Sequence, residues 1–508
     1  MAPLLGPSLA SRLYPAMPAG GWRGWWGPLV ALGLAALLRI PNLGRPADFA
    51  FDETYYAKDA LSLLRFGAEQ SMAEDANSII LNSDGNPWTV GPFGDGPSYV
   101  VHPPFGKWVI AAGEALFGVN PTGWRIGVLV CGLLAVVLIA RIVRRMLRSN
   151  FWGTFAGLLL ALDGLAIVMS RTAILDNVLM VCALGAFGAL LLDRDQARKR
   201  LTEGVALGLM NRPWRWLAAV LLGLAAGVKW SGLWFVIAFG LLTVLWDLGA
   251  RRLTDAPRPW STTLRDALPT AVVWTAIAAG VYLLTWTGWF LADGSTAYYR
   301  DWAATNGAAG GIVPDALRSL WHYHAEAFKF HTNLSSPHSY AANAWGWPVQ
   351  ARPTSFFYSD TGPCGADKCA QEVLALGNPI IWWTAVVALF HQVWRWAGRR
   401  DWRAGAVLAG FLAGWAPWLM YQDRTVFSFY SIAFLPFMIM ALVLSLSVAR
   451  GPREQPGALS NRNLVGIVLV AVFAIAVVVA SWWFFPIWVA EPMPYQQWFW
   501  RMWFPSWV

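Results

Sequence analysis

The chain has 508 residues, is 57% hydrophobic and only 13% charged, and carries 34 tryptophans at a mean hydropathy of +0.44. This balance excludes a water-soluble globular enzyme and describes a multi-spanning membrane protein. The formal charge of +9 could suit nucleic acid, but the basic residues form short clusters between apolar runs, where they fix topology instead, so no nucleic-acid partner is expected.

From the N-terminus, MAPLLGPSLASRLYPAMPAGGWRGWWGP lacks a short apolar core ending in a small-residue cleavage site, so the first apolar segment reads as a retained anchor. Segments near the ~20 residues that cross a bilayer follow at 24–43, 124–147, 151–169, 172–192, 214–229, 231–248, 267–290, 377–396, 404–421, 427–447 and 463–486, about eleven spans. The fifth and sixth are short and are expected to be tilted, fused or partly re-entrant.

Five basic clusters fall on one side of this pattern. They are Arg141 to Arg148, Arg194 to Arg215, Arg251 to Arg265, Arg395 to Arg403, and Arg450, Arg453 and Arg462. The bias predicts a cytoplasmic N-terminus, residues 1–23, and an external C-terminus. The expected organisation is then a membrane module over 24–290 that includes an outer loop at 44–123, a second outer loop at 291–376, a second membrane module at 377–486, and an aromatic tail at 487–508 lying at the outer interface. Both outer loops exceed ordinary connection lengths and are candidate functional surface.

The first outer loop opens with FDETYYAKDA. Asp52 reads equally as the cap of a surface helix with Lys58, Ser62 and Arg65 turned to water, with Glu53 favouring that helix's dipole, or with Glu53 as an acid pair holding a general base beside a lipid-borne substrate. The loop returns through HPPFGKW, where Pro103 and Pro104 start the next helix, Lys107 either snorkels or meets a phosphate, and His102 reads first as a hydrogen-bonded loop residue.

In SRTAILDNV, Arg171 and Asp176 mark the outer turn between two spans as a charge pair. Arg39, Arg125 and Arg424 also fall at outer ends, against the topological bias, and so need local partners. Cations converging opposite an acid pair describe a site for an anionic lipid headgroup and a nucleophile that must lose a proton. In the second loop, WHYHAEAFKFH reads as an amphipathic surface helix, its His322, His324 and His331 fitting no tight zinc motif. Cys364 and Cys369, in CGADKC on an oxidising face, are expected to form a local disulfide rather than a metal pair.

Taken in order, FDETYY, HPPFGKW, SRTAILD, SPHSYAANAWGWPV, GNPIIWW and DRTVFSFY resemble the protein O-mannosyltransferases, glycosyltransferase family 39, along nearly the whole chain. The resemblance implies an all-α polytopic membrane protein of glycosyltransferase C fold, with two long outer loops bearing surface helices. It implies a polyprenyl-phosphate mannose donor and transfer to Ser or Thr of secreted proteins, with the bilayer and the export machinery as further partners. The second loop is too short for the MIR domains of eukaryotic members, which resembles the bacterial form in a plasma membrane. On this resemblance Asp52 is the base and Glu53 orients the acceptor or an arginine. Arg125, Arg171, Arg424 and Lys107 are candidates for the donor phosphate, Arg39 holds Glu53, and His102, Asp176 and His338 support the site.

A weakly nucleophilic hydroxyl needs a carboxylate to take its proton, whereas a phosphate leaving group needs cations and no general acid. One displacement inverts the anomeric centre, and the resemblance implies a β-linked donor and an α-mannosyl product. The scheme requires no cofactor, and a divalent metal is compatible with it but not predicted. Two rivals are a sibling transferase moving another sugar onto lipid or glycan, and a lipid-sugar transporter. The transporter is disfavoured because ionisable groups gather at the outer ends, Lys229 partly excepted, and no repeat is evident.

Overall fold

The structure is a computed structural model that describes residues 13–18, 20–451 and 461–508, without the side chain of Arg462. Most of the expected N-terminal segment and Arg453 therefore lie outside the described residues.

Helices of eight or more residues are numbered in chain order. They are α1 Trp26–Arg39, α2 Glu53–Phe66, α3 Phe105–Phe117, α4 Pro121–Leu147, α5 Asn150–Leu162, α6 Gly164–Arg171, α7 Asp176–Thr202, α8 Pro213–Val228, α9 Gly232–Leu253, α10 Pro259–Thr285, α11 Asp315–Asn333, α12 Pro379–Arg399, α13 Trp402–Trp415, α14 Leu435–Arg450 and α15 Asn461–Trp488. Every expected span overlaps one of them. By length and apolar composition alone, five qualify as membrane-crossing, or six if α5 and α6 are one span bent by 63°. The segment expected over 151–169 is thus two helices with a bend between them. Asp163 sits at the break, where its Oδ1 accepts from the Ala166 N–H at 3.0 Å and starts α6.

α7 is the hub and packs on α4, α8 and α9, while α14 is buried among α12, α13 and α15. Lipid takes the place of a partner elsewhere. α10 leaves Leu264, Leu268, Val272 and Leu284 exposed, as an apolar helix facing hydrocarbon does. At the arginine-rich end, Arg212 and Arg215 form a buried quartet with Asp193 and Asp247, so these charges are structural as well as topological.

The fold is predominantly helical, as expected, and the opposite, loop face adds a few short strands. Strands β1 Gln70–Met72 and β2 Phe93–Pro97 form a hairpin, and β3 Thr354–Ser359, β4 Cys369–Ala375 and β5 Met493–Pro494 form an antiparallel sheet in that order. Cys364 and Cys369 are disulfide-bonded in the β3–β4 connection. The tail is also more than an interfacial segment. It supplies β5, its Trp498 Nε1 donates to buried Glu372 at 2.6 Å, and its Trp507 is buried and donates to the Gln350 carbonyl at 2.9 Å.

Candidate active site

α2 begins directly after a tight turn and ends where Gly67, at φ +76°, adopts the left-handed conformation that stops a helix. Asp52 occupies its N-cap position, but its side chain makes no capping bond. Lys58 and Arg65 are half-buried and Ser62 is fully buried, its hydroxyl donating to the Lys58 carbonyl, so the helix presents less to water than its pattern predicts. Phe51, just before Asp52, has φ +52°, a conformation costly for a non-glycine residue. Four rings hold it there: Phe356, Phe427, Phe429 and His338 lie 5.1 to 5.9 Å from its own.

The two adjacent acids have opposite environments. Glu53 is fully buried, and its carboxylate accepts four hydrogen bonds, from Arg125 Nε at 2.8 Å, Arg125 Nη2 at 2.7 Å, the Ala173 N–H at 2.7 Å and the Ala50 N–H at 2.8 Å. Asp52 is half-buried, and among the described residues its one side-chain hydrogen bond is from the Tyr56 hydroxyl at 3.4 Å. Burial pushes its carboxyl up to about 6, with the Lys229 ammonium pulling the other way and Asp176 adding to the rise. Lys229 itself pairs with Asp176 at 2.6 Å and lies 5.0 Å from the Tyr430 ring.

A row of aromatic groups continues from there. Tyr56 stands 6.2 Å from His102, which stacks on His331 at 5.2 Å. His331 Nε2 donates to the Val101 carbonyl at 3.0 Å, and its Nδ1 accepts from Arg424 Nη2 at 3.2 Å. Burial and the Arg424 guanidinium push His331 down to about 4, and burial with the nearby cations holds His102 well below the usual range, so both rings are neutral. Arg424 lies over Trp418, and its Nε is buried without a partner among the described residues. Asp52, Tyr56, His102, Asp176, Lys229, His331, Arg424 and Tyr430 thus form one cluster, in which Lys229 acts on the Asp52 carboxylate and Arg424 lies further along, on His331.

Several expected roles are corrected. Arg39 does not hold Glu53; it donates to the Ala161 carbonyl at 3.0 Å, the Leu160 carbonyl at 2.9 Å and the Ser170 hydroxyl at 3.3 Å, because Arg125 already occupies the carboxylate. Arg125 spends its five N–H groups on Glu53 and on the carbonyls of Leu43, Pro46 and Asp48, so none remains for a headgroup. Arg171 binds the carbonyls of Arg39, Pro41 and Asn42 rather than Asp176, which takes Lys229. Lys107 is buried and bonded to Glu69, with Asp59 3.7 Å away. His102 has ring contacts where a hydrogen bond was expected. His338 is exposed beside Phe51 and accepts from the Tyr340 N–H at 3.1 Å.

Lys229, Tyr56 and Tyr430 are not among the expected site residues, and His331 belongs to the surface helix for which only substrate contact was open. Lys229 had a legible signal, an ammonium beside an apolar helix. The three histidines of α11 point to different partners, His322 to Trp302 and His324 to Trp286, and among the described residues no three metal-ligating groups converge.

Residues 79–292 match the profile of dolichyl-phosphate-mannose-protein mannosyltransferase, and residues 316–507 that of the C-terminal four TMM region of protein-O-mannosyltransferase. The chain is 37% identical over 531 residues to the polyprenol-phosphate-mannose protein mannosyltransferase of Mycolicibacterium smegmatis, covering 100% of this chain and 97% of that one. The protein of the same name from Mycobacterium tuberculosis is 36% identical, with 100% and 96% covered. The protein O-mannosyltransferase Pmt1-Pmt2 complex of S. cerevisiae, solved with its sugar donor, aligns with a TM-score of 0.73 over 99% of this chain and 94% of that chain at 14% identity, a likeness of fold.

Proposed function

Because this chain belongs to the protein O-mannosyltransferase family, a membrane enzyme family of glycosyltransferase C fold, we propose that it moves mannose from a polyprenyl-phosphate carrier to Ser or Thr hydroxyls, with Asp52 as the base. The observation that carries the site assignment is the contrast between the acids. Glu53 is saturated by four hydrogen bonds, whereas Asp52 keeps lone pairs free beside Lys229 and is ionised above about pH 6.

In the proposed step the acceptor hydroxyl gives its proton to Asp52 as its oxygen bonds to the anomeric carbon. The bond from that carbon to the phosphate oxygen breaks, and the electron pair leaves with the phosphate. Lys229 and Arg424 offset the charge on the departing polyprenyl phosphate, and the neutral faces of His102 and His331 line the approach without adding charge. Asp176 keeps Lys229 in place, and Arg125 acts through Glu53 as a positioning residue. The arginine bias of the opposite end supports a loop face outside the plasma membrane.

The test is donor-dependent transfer of labelled mannose to a Thr-rich peptide by the full chain in membranes, with Asp52→Asn beside wild type. Transfer by wild type, lost in the variant while donor binding persists, is the expected result. Full transfer by Asp52→Asn would remove Asp52 from the chemistry.

A further inference from the structure

A cavity of about 810 Å³ opens on the loop face between residues 42–48 and β3, with Arg45, Ala47, Asp48, Tyr358, Ser359 and Thr361 on its walls. That volume lies within the roughly 300–1,000 Å³ of ligand sites.

One wall is fixed from behind. Arg125 holds the carbonyls of Leu43, Pro46 and Asp48, and Arg171 those of Pro41 and Asn42, so the loop cannot fold into the opening without breaking buried charge-assisted bonds. Nη2 of Arg125 bonds both the Asp48 carbonyl, at 2.8 Å, and Glu53, at 2.7 Å. A single guanidinium therefore sets the wall and the turn that carries Asp52.

The other wall is the end of β3 with Gln371 of its partner β4. β3 is outermost in its sheet, β4 pairs with one side of it, and among the described residues its second side has no backbone partner. The strand also leads to the site. Phe356 stacks on Phe51 at 5.1 Å, next to Asp52, while Phe357, Tyr358 and Ser359 run out along the cavity.

We propose that this cavity is the acceptor channel, in which the polypeptide lies extended along the free edge of β3 and is led to Asp52. The proposal rests on the mannosyltransferase reading of the site. Strand addition draws its affinity from main-chain hydrogen bonds and turns alternate side chains away, so it can deliver Ser or Thr without reading a long sequence. The unpaired edge at residues 357–359 matches an unfolded peptide better than a polyprenyl chain, because hydrocarbon would leave its N–H and C=O groups unpaired.

The test compares wild type with Ala47→Trp, which fills the cavity from an exposed position. Binding of a fluorescein-labelled Thr-rich peptide is followed by polarisation, and transfer from polyprenyl-phosphate mannose by label. Ala47→Trp raises the peptide's Kd and KM by roughly tenfold and leaves the donor KM and the thermal midpoint unchanged. Peptides N-methylated one residue at a time lose binding at every second position, the signature of one strand edge. An unchanged peptide Kd in folded Ala47→Trp, or equal tolerance of N-methylation along the peptide, overturns the proposal, as does a matching rise in donor KM, which would give the cavity to the lipid. Peptide binding that Ala47→Trp weakens, in a wild type that transfers no mannose, would keep the groove and remove the transferase reading.

Discussion

At the scale of single residues, Asp52 and Glu53 show how neighbours in sequence divide work through their surroundings. Proton transfer by a positioned base contributes about 10²–10⁴-fold, so Asp52→Asn is expected to lower transfer by that factor with donor binding intact. The base must be ionised. With its carboxyl at about 6, kcat/KM for the peptide is expected to be flat above that pH and to fall about tenfold per pH unit below it; a profile unaltered down to pH 5 would refute the assignment. Arg125→Ala strands Glu53 as an uncompensated buried charge, a loss of about 3–5 kcal/mol, which appears as a large fall in thermal midpoint together with loss of donor and acceptor handling. Arg424→Ala is expected instead to raise the donor KM at an unchanged midpoint. The sequence made the acids and the outer arginines visible as unusual charges, but it could not say which arginine faces a carboxylate and which faces backbone carbonyls. That depends on loop 42–48, whose carbonyls only the folded chain turns inward.

At the scale of elements, the motif GNPIIWW serves the scaffold. Asn378 caps α12 by accepting from the Ile380 and Ile381 N–H groups, at 3.0 and 3.4 Å, and its Nδ2 donates to the Val477 carbonyl at 2.9 Å and the Ser481 hydroxyl at 2.8 Å on α15. The Asn378 N–H and Trp382 Nε1 both donate to Asp163 Oδ2, at 3.1 and 2.8 Å, and so tie α12 to the α5–α6 break. Asn378→Ala leaves several of these buried groups unpaired and is expected to cost about 1–3 kcal/mol in stability, read as a lower thermal midpoint at an unchanged donor KM. A changed KM with an unchanged midpoint would mean that the motif touches substrate. Helices were legible here because long apolar runs have few alternatives in a bilayer. The bend at Asp163 was not, because one acid inside an apolar run gains its meaning from the Trp382 and Asn378 groups that reach it from far along the chain.

At the scale of the whole molecule, the C-terminal tail closes the loop face. Because β5 pairs with β4 and Trp498 satisfies Glu372, removing residues 490–508 is expected to leave Glu372 without its partner and to make the segment 351–376 a target for external protease, with the membrane helices intact. An unchanged cleavage pattern would show that the sheet stands without the tail. What the sequence by itself determined is the membrane class, the helical segments and the family, and it singled out Asp52 and Glu53 as an unusual pair of charges, since hydropathy, charge bias and motif order are local properties. What only the tertiary structure decided is the assignment of charges to partners: Lys229 and Arg424 to the cluster around Asp52, and Arg39, Arg125, Arg171 and Lys107 to buried bonds. The physical reason is that a buried cation is satisfied by whichever carboxylate or carbonyl the fold brings within hydrogen-bond reach, and those groups come from segments far apart in the chain.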